Sequence, residues 1–222
     1  NSTLTVEEIQ LDGPQKDYSL SGTPVDCVKF ALDKVLDRKP DLVVSGINHG
    51  SNSSINIIYS GTMSAAVEAS IEGIPAVGFS LLNFAQDADF SGAAKYANII
   101  AQQILTFGLP NATLLNVNIP DLPAAELLGI KICRQAVAKW EEEYDERFDP
   151  IGRKYYWLTG KFVNYDKGED TDEWALSNGY VSVVPVQFDL TAHHAISFFN
   201  NTWKLDEPAE NKDQIFIDTS DK

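Results

Sequence analysis

Residues 41–62 read DLVVSGINHGSNSSINIIYSGT. An apolar strand, Leu42–Ser45, runs into a polar, glycine-punctuated loop that empties into a helix opening on Ser60-Gly61-Thr62. The first N–H groups of a helix have no partner inside it, so that end is able to hold an anion such as phosphate. The loop also offers Asn48, Asn52 and several hydroxyls. An asparagine gives a neutral carbonyl to a hard cation or an N–H to phosphate, so these residue types suit a phosphate or hydrated-metal site. The same residues read equally as a plain turn, because Asn and Gly tolerate left-handed backbone angles and any helix can open on a capping hydroxyl.

Downstream, a helix over about Thr62 to Glu72 is stopped by Gly73 and Pro75, and Ala76–Leu81 follows as an apolar strand. A second helix over about Ser91–Leu105 places Ala94, Ala97, Ile100 and Ile104 on one face, and Leu114–Ile119 and Ile130–Cys133 read as short buried strands. Upstream, residues 3–10 and 17–21 read as two strands joined by the turn Asp12-Gly13-Pro14. Thr23 as cap, Pro24 at the first helical position and Asp26 near the positive end of the dipole announce a helix. That helix carries Val25, Val28, Leu32 and Val35 on one stripe and ends at Arg38-Lys39-Pro40. Alternating helices and continuously apolar strands predict an α/β fold with a mostly parallel sheet covered on both faces. Ligands of such sheets collect beyond the C-terminal strand ends, where the 46–62 loop falls.

The pattern divides the chain into an α/β core over 1–138, a β-rich extension over 139–200 and a C-terminal segment over 201–222. The extension holds the acidic run 141–146, read as a solvated face, and strands at Lys154–Leu158 and Tyr180–Val186. A long hairpin leaving a core suits subunit exchange. Trp140, Trp157, Trp174 and Trp203 all fall in this later part, and hydrophobic anchoring between subunits is the expected use, with stacking on a nucleobase as the other.

With 222 residues and 44% hydrophobic content, the chain can bury a substantial core. Seventeen basic against 32 acidic residues give a net charge of −15, which repels nucleic-acid polymers and anionic membranes. An anionic substrate therefore needs a local reversal of sign, which a divalent cation and a helix N-terminus together would supply. Cys27 and Cys133 lack zinc-site spacing and read as core thiols. No apolar run suits a membrane span and no signal peptide is visible, so a cytoplasmic location is expected, although the chain opens on Asn1 rather than Met. Asn-x-Ser/Thr sequons at Asn1, Asn52, Asn111 and Asn200 are then chance matches. No Gly-x-Gly-x-x-Gly turn follows a strand, which sets aside dinucleotide binding.

PDLVVSGINHGSN followed by IYSGTMSAAVEASIEGIPAVGFSL closely resembles the SurE family, stationary-phase survival proteins that act as metal-dependent 5'-nucleotidases. The likeness extends, in order, over Gly22–Val28, Leu115-Asn116-Val117-Asn118-Ile119-Pro120, Asp149-Pro150-x-Gly-Arg153 with Tyr155-Tyr156-Trp157, Thr171-Asp172, Gly179–Val183 and Asp189–Ala192. The resemblance implies a Rossmann-like core with a β-rich extension used in a homodimer or homotetramer. It implies hydrolysis of nucleoside 5'- and 3'-monophosphates, and of short polyphosphate in some members, with magnesium or manganese. Asn48 falls on the family's metal-ligand asparagine and is the catalytic residue of this segment; Asn52, Ser60, Gly61 and Thr62 fall on its phosphate contacts. The family's paired aspartates, in Asn-Asp-Asp-Gly, and a serine ligand are expected upstream of Asn1, in a first βα unit that these residues do not include. If that pair were truly absent, a non-catalytic phosphate-binding module would be the alternative. The Ser54-Ile55-Asn56 stretch replaces acidic residues common in the family and bears on access or base preference. The mechanism implied is metal-assisted phosphoester hydrolysis without a side-chain nucleophile, in which proton transfer by His49 is an open role; His193 and His194 are left outside the site.

Overall fold

A computed structural model of the chain describes residues 3–10 and 16–203, and divides into one unit up to Phe188 and a second from Asp189 onward. Strands β1 (Val6–Ile9) and β2 (Asp17–Leu20) pair antiparallel. Their expected Asp12-Gly13-Pro14 turn lies outside the described residues. Helix α1 (Pro24–Phe30) opens on a reciprocal cap: the Asp26 N–H donates to Thr23 Oγ1 at 3.3 Å, and Asp26 Oδ2 accepts from the Thr23 N–H at 2.8 Å. A π-helical turn, Ala31–Val35, carries the stripe onward, and Val28 and Leu32 pack toward the core.

The central sheet is built from β3 (Val43–His49), β4 (Ala76–Leu81), β5 (Thr113–Ile119), β6 (Ile130–Ile132) and β9 (Val181–Gln187) in the order β3-β4-β5-β9-β6. Neighbours β3, β4 and β5 run parallel, β9 is antiparallel to β5, and β6 is parallel to β9. Every residue of β4 is buried, as a strand covered on both faces requires. Alternation sorts its side chains. Val77, Phe79 and Leu81 face α3 (Ser91–Phe107) together with Val117, Ile119, Val181 and Val183. On the other face α2 (Gly61–Ile71) lies against Ala76 and Leu114 through Met63, Ala66 and Ala69. A Cβ on Gly78 would strike the Met63 thioether, so the small residues of both elements set how closely α2 approaches.

Several details differ from the sequence reading. The strand after Asp41 runs through His49, and Ser54–Tyr59 forms a 3-10 helix, so the irregular stretch shrinks to Gly50–Ser53. The buried stripe of α3 uses Ala93 rather than Ala94, because 93, 96, 100 and 104 follow the helical repeat that meets β4. Cys133 is buried, but Cys27 is exposed. Within 139–200, only the hairpin of β7 (Ala138–Phe148) and β8 (Lys154–Asn164) stands apart as a two-stranded sheet, while β9 returns to the central sheet between β5 and β6. The acidic run lies along β7, where Glu141 meets Lys161 at 3.3 Å and Glu146 meets Lys154 at 2.9 Å. In the second unit α5 (His193–Thr202) follows a contact of 2.8 Å between His193 Nε2 and Asp189 Oδ2; residues 204–222 of the C-terminal segment lie outside the described residues.

One buried carboxylate ties three of these elements together. Asp172, in α4 (Asp172–Ser177), accepts from the backbone N–H groups of Ser54 at 2.8 Å, Ala136 at 2.9 Å and Glu173 at 2.9 Å. It thereby fixes the 3-10 segment and the root of the hairpin against α4. Burial pushes its pKa above the ordinary carboxylate range, outweighing the three donors. Asp172→Asn keeps the shape but replaces one acceptor oxygen by a donor, so a buried N–H loses its partner at a cost of about 1–3 kcal/mol. A raised folded-state pKa adds stability that is complete below the unfolded value and fades as pH rises through the folded value. The advantage of the unmodified protein over Asp172→Asn is therefore expected to be largest near pH 4 and to shrink toward neutrality, as read from urea titrations across that range.

Candidate functional site

The site forms where β3 ends. Gly46 has φ of +105°, and a Cβ there would strike the Phe79 carbonyl oxygen, so only glycine lets the strand pass β4 at this point. The register between β3 and β4 shifts between Ser45 and Asn48, which re-aims the last residues of the strand. Asn48 is half-buried there, and its Nδ2 donates to the Gly50 carbonyl at 3.2 Å. His49 is exposed, with Nδ1 3.2 Å from the Asn83 carbonyl and its ring edge-on to Phe90 at 4.9 Å.

The next turn is held by a ladder of side-chain amides. Asn116 and Asn118 lie two apart on β5 and so share the face toward α2. Asn118 Oδ1 accepts from the Asn52 backbone N–H at 2.8 Å, and Asn116 Nδ2 donates to the Asn52 carbonyl at 2.8 Å. Asn118 Nδ2 donates to Asn116 Oδ1 at 3.0 Å, closing the set. Asn52 Nδ2 donates to Ser80 Oγ at 2.6 Å, so the side chain is clamped while its Oδ1 finds no partner among the described residues. Ser53 donates to Glu173 Oε1, and burial pushes the Glu173 carboxyl upward, with the Asp172 charge adding to the shift and the Ser53 bond opposing it.

Ser60 caps α2: its Oγ accepts from the Met63 N–H at 3.0 Å, and its carbonyl accepts from the Ser64 N–H at 3.0 Å. The N–H groups of Gly61 and Thr62 find no acceptor among the described residues, so two donors stay available at the positive end of the helix.

Asn52 and Ser60 meet in one cleft of about 510 Å³, a size typical of small-molecule sites. Ser51, Ser53 and Glu173 are polar residues of its wall, and Trp140, Phe162, Tyr59 and Phe84 are aromatic ones. Asn48, Gly61 and Thr62 do not line it. Nor does any lysine or arginine among the described residues, so the donors of the cleft wall are all uncharged.

Asn48 suits a hard cation as a single neutral ligand, since Oδ1 finds no partner among the described residues once Nδ2 is bound to Gly50. No cluster of three or more His, Cys, Asp or Glu side chains able to hold a metal occurs among the described residues. The fit to a divalent cation therefore rests on Asn48, with no acidic cage beside it among the described residues. No helix among the described residues is long and apolar enough to cross a membrane.

Sequence reasoning passed over Ser80, Asn116, Asn118, Asp172 and Glu173 as site residues. Two asparagines two apart in an otherwise apolar strand were a readable sign of a polar face turned to the interior. Glu173 carried no such sign, because its place depends on α4 folding back against Ser53. Trp140, expected as a subunit anchor, lines the cleft.

The sequence profile of the family described as Survival protein SurE matches residues 1–142. The "5'-nucleotidase SurE" of Flavobacterium psychrophilum is 62% identical over 93% of this chain and 80% of its own length. That of Chlorobium chlorochromatii is 44% identical over 91% of this chain and 74% of its own length. The crystal structure of SurE protein from Aquifex aeolicus superposes with a TM-score of 0.78 at 39% identity, covering 90% of this chain and 79% of that one. The amide-clamped turn at the end of β3 and the capped start of α2 thus stand in a fold and a sequence shared along nearly the whole chain, which belongs to the SurE family.

Proposed function

We propose that this protein is a metal-dependent phosphomonoesterase that hydrolyses nucleoside 5'- and 3'-monophosphates to nucleoside and phosphate, with short polyphosphate as a further substrate. The single observation that carries the reading is the meeting of Asn52 and Ser60 in one cleft, with the two available N–H groups of α2 following Ser60 directly in the chain. The phosphate lies against the Gly61 and Thr62 N–H groups and the Ser60 hydroxyl, with the remaining Asn52 amide hydrogen as a further donor. These neutral donors hold an anion weakly in a protein of net charge −15, so a cation is needed beside them. Asn48 would hold magnesium or manganese in part, and the bound cation would supply charge neutralisation and an activated or oriented water. The 60–62 donors are fixed before substrate arrives and stabilise charge as it develops on the equatorial oxygens. No side-chain nucleophile is required.

The same reading makes the protein cytoplasmic and a homodimer or homotetramer. The β7–β8 hairpin supports assembly: apart from its root it is exposed on both faces, and Tyr144, Trp157 and Leu158 lie open on it. An isolated two-stranded hairpin is marginal in water, so a partner surface would stabilise it. A second reading, phosphate binding without cleavage, draws on the lack of an acidic cluster among the described residues.

Phosphate release from AMP or GMP by the full-length protein with manganese or magnesium is expected, and EDTA is expected to abolish it. Asn48→Ala should lower kcat by about 10²-fold, the scale of losing one charge-stabilising group. Activity indifferent to EDTA would remove the metal-dependent reading; tight phosphate binding with no turnover under any metal would favour the binding module.

A further inference from the structure

Resting on the nucleotidase reading above, we infer that the aromatic end of the cleft is a nucleobase seat in which Trp140 stacks on the base while Asn56 and Glu173 read its edge, favouring guanine.

The indole of Trp140 is fixed from two sides. Its Nε1–H donates to Asn56 Oδ1 at 3.1 Å, and its ring meets Phe162 edge-on at 5.8 Å. Even so, Trp140 stays 48% exposed, so a pinned aromatic ring keeps surface open beside the phosphate donors. A ring held in place loses little freedom when a planar partner arrives, which is what makes a good stacking platform. The open aromatic rings of Tyr59 and Phe84 line the same cleft.

The polar groups at this end differ from those at Ser60. Because Asn56 uses Oδ1 to accept from Trp140, its Nδ2 must point two donors elsewhere, and no acceptor takes them among the described residues. Glu173 accepts from Ser53 on Oε1 and keeps Oε2 without a partner among the described residues. A carboxylate here repels phosphate, so the ligand group beside it must be a donor. Donors from Asn56, with the open Oε2 of Glu173 and the second lone pair of its Oε1, match the guanine edge, which presents O6 as acceptor and N1–H and N2–H2 as adjacent donors. Adenine presents a single amino group and a ring-nitrogen acceptor on that edge and leaves one carboxylate oxygen without a donor. A site built to accept an N–H discriminates well against an analogue that lacks it.

The test compares GMP, AMP and ribose 5-phosphate, which has no base, as substrates of the full-length manganese-loaded protein. The unmodified protein is expected to prefer both nucleotides to ribose 5-phosphate, and GMP to AMP. Trp140→Ala should lower kcat/KM for both nucleotides by about tenfold or more while ribose 5-phosphate is untouched, and Trp140→Phe should recover most of the loss. Glu173→Gln should reduce the GMP-to-AMP ratio by at least about fivefold, with its fold checked separately by circular dichroism. A nucleotide-to-ribose-phosphate ratio that ignores Trp140→Ala would overturn the seat, and a GMP-to-AMP ratio that ignores Glu173→Gln would overturn the guanine readout. Release of phosphate from none of the three by the unmodified protein would instead defeat the nucleotidase reading beneath it.

Discussion

Asn52 has its backbone N–H and its carbonyl both satisfied by amide side chains of a neighbouring strand, and the geometry of the cleft depends on that clamp. A turn between a strand and a helix ordinarily satisfies its backbone with water or with itself. Here the turn runs over the ends of β4 and β5 and is buried, so solvent is not available to do so. Asn116 and Asn118 take that role, Ser80 accepts from the Asn52 side chain, and all three are buried. Unpaired, such groups would destabilise the core by more than they could return; paired, they specify one position for the 50–53 turn. The cost of polar groups in the interior is thus offset by a rigid floor beneath a binding cleft.

A second constraint is electrostatic. A chain carrying 32 acidic residues has to bind an anion without a lysine or arginine in the cleft wall. The start of α2 contributes neutral donors with a favourable dipole, and these raise no desolvation problem of their own. Acidic side chains nearby are engaged: Asp172 spends its oxygens on three backbone N–H groups, and Glu173 takes the Ser53 hydroxyl on one of its two oxygens. Farther out, Arg134 holds Asp166 at 2.5 Å and Asp170 at 2.8 Å, which stitches the segment after β8 to the connection between β6 and β7. Among the described residues the wall of the cleft thus has no basic side chain, and its donors are neutral.

The hairpin links these two features. Its root is fastened by Ser54, whose Oγ donates to the Ala136 carbonyl at 2.8 Å and accepts from the Ala138 N–H at 3.2 Å. Trp140 follows two residues later and reaches back to Asn56. The first turn of an otherwise exposed arm therefore forms one wall of the cleft, and movement of the arm and the shape of the site are mechanically coupled.

Much of the fold was legible along the chain because it rests on local rules. Continuous apolar runs gave β4 and β5, the Thr23-Pro24-x-Asp26 signal gave the start of α1, and Ser60 marked the start of α2, because caps and burial patterns act over a few residues. Resemblance to SurE rested on motifs in chain order and so was equally open to reading. The place of β9 could not be read: its sequence suits a strand, but whether it stayed with the hairpin or returned beside β5 depended on the 171–180 segment docking through Asp172. The pairing of Ser53 with Glu173, 120 residues later, and of Trp140 with Asn56, 84 residues apart, was likewise hidden. Sequence determined which segments are helix or strand and which residue types are available for chemistry. Only the tertiary structure decided which of them face one another, because contacts between distant residues are set by how whole elements pack and by the need to satisfy every buried polar group at once.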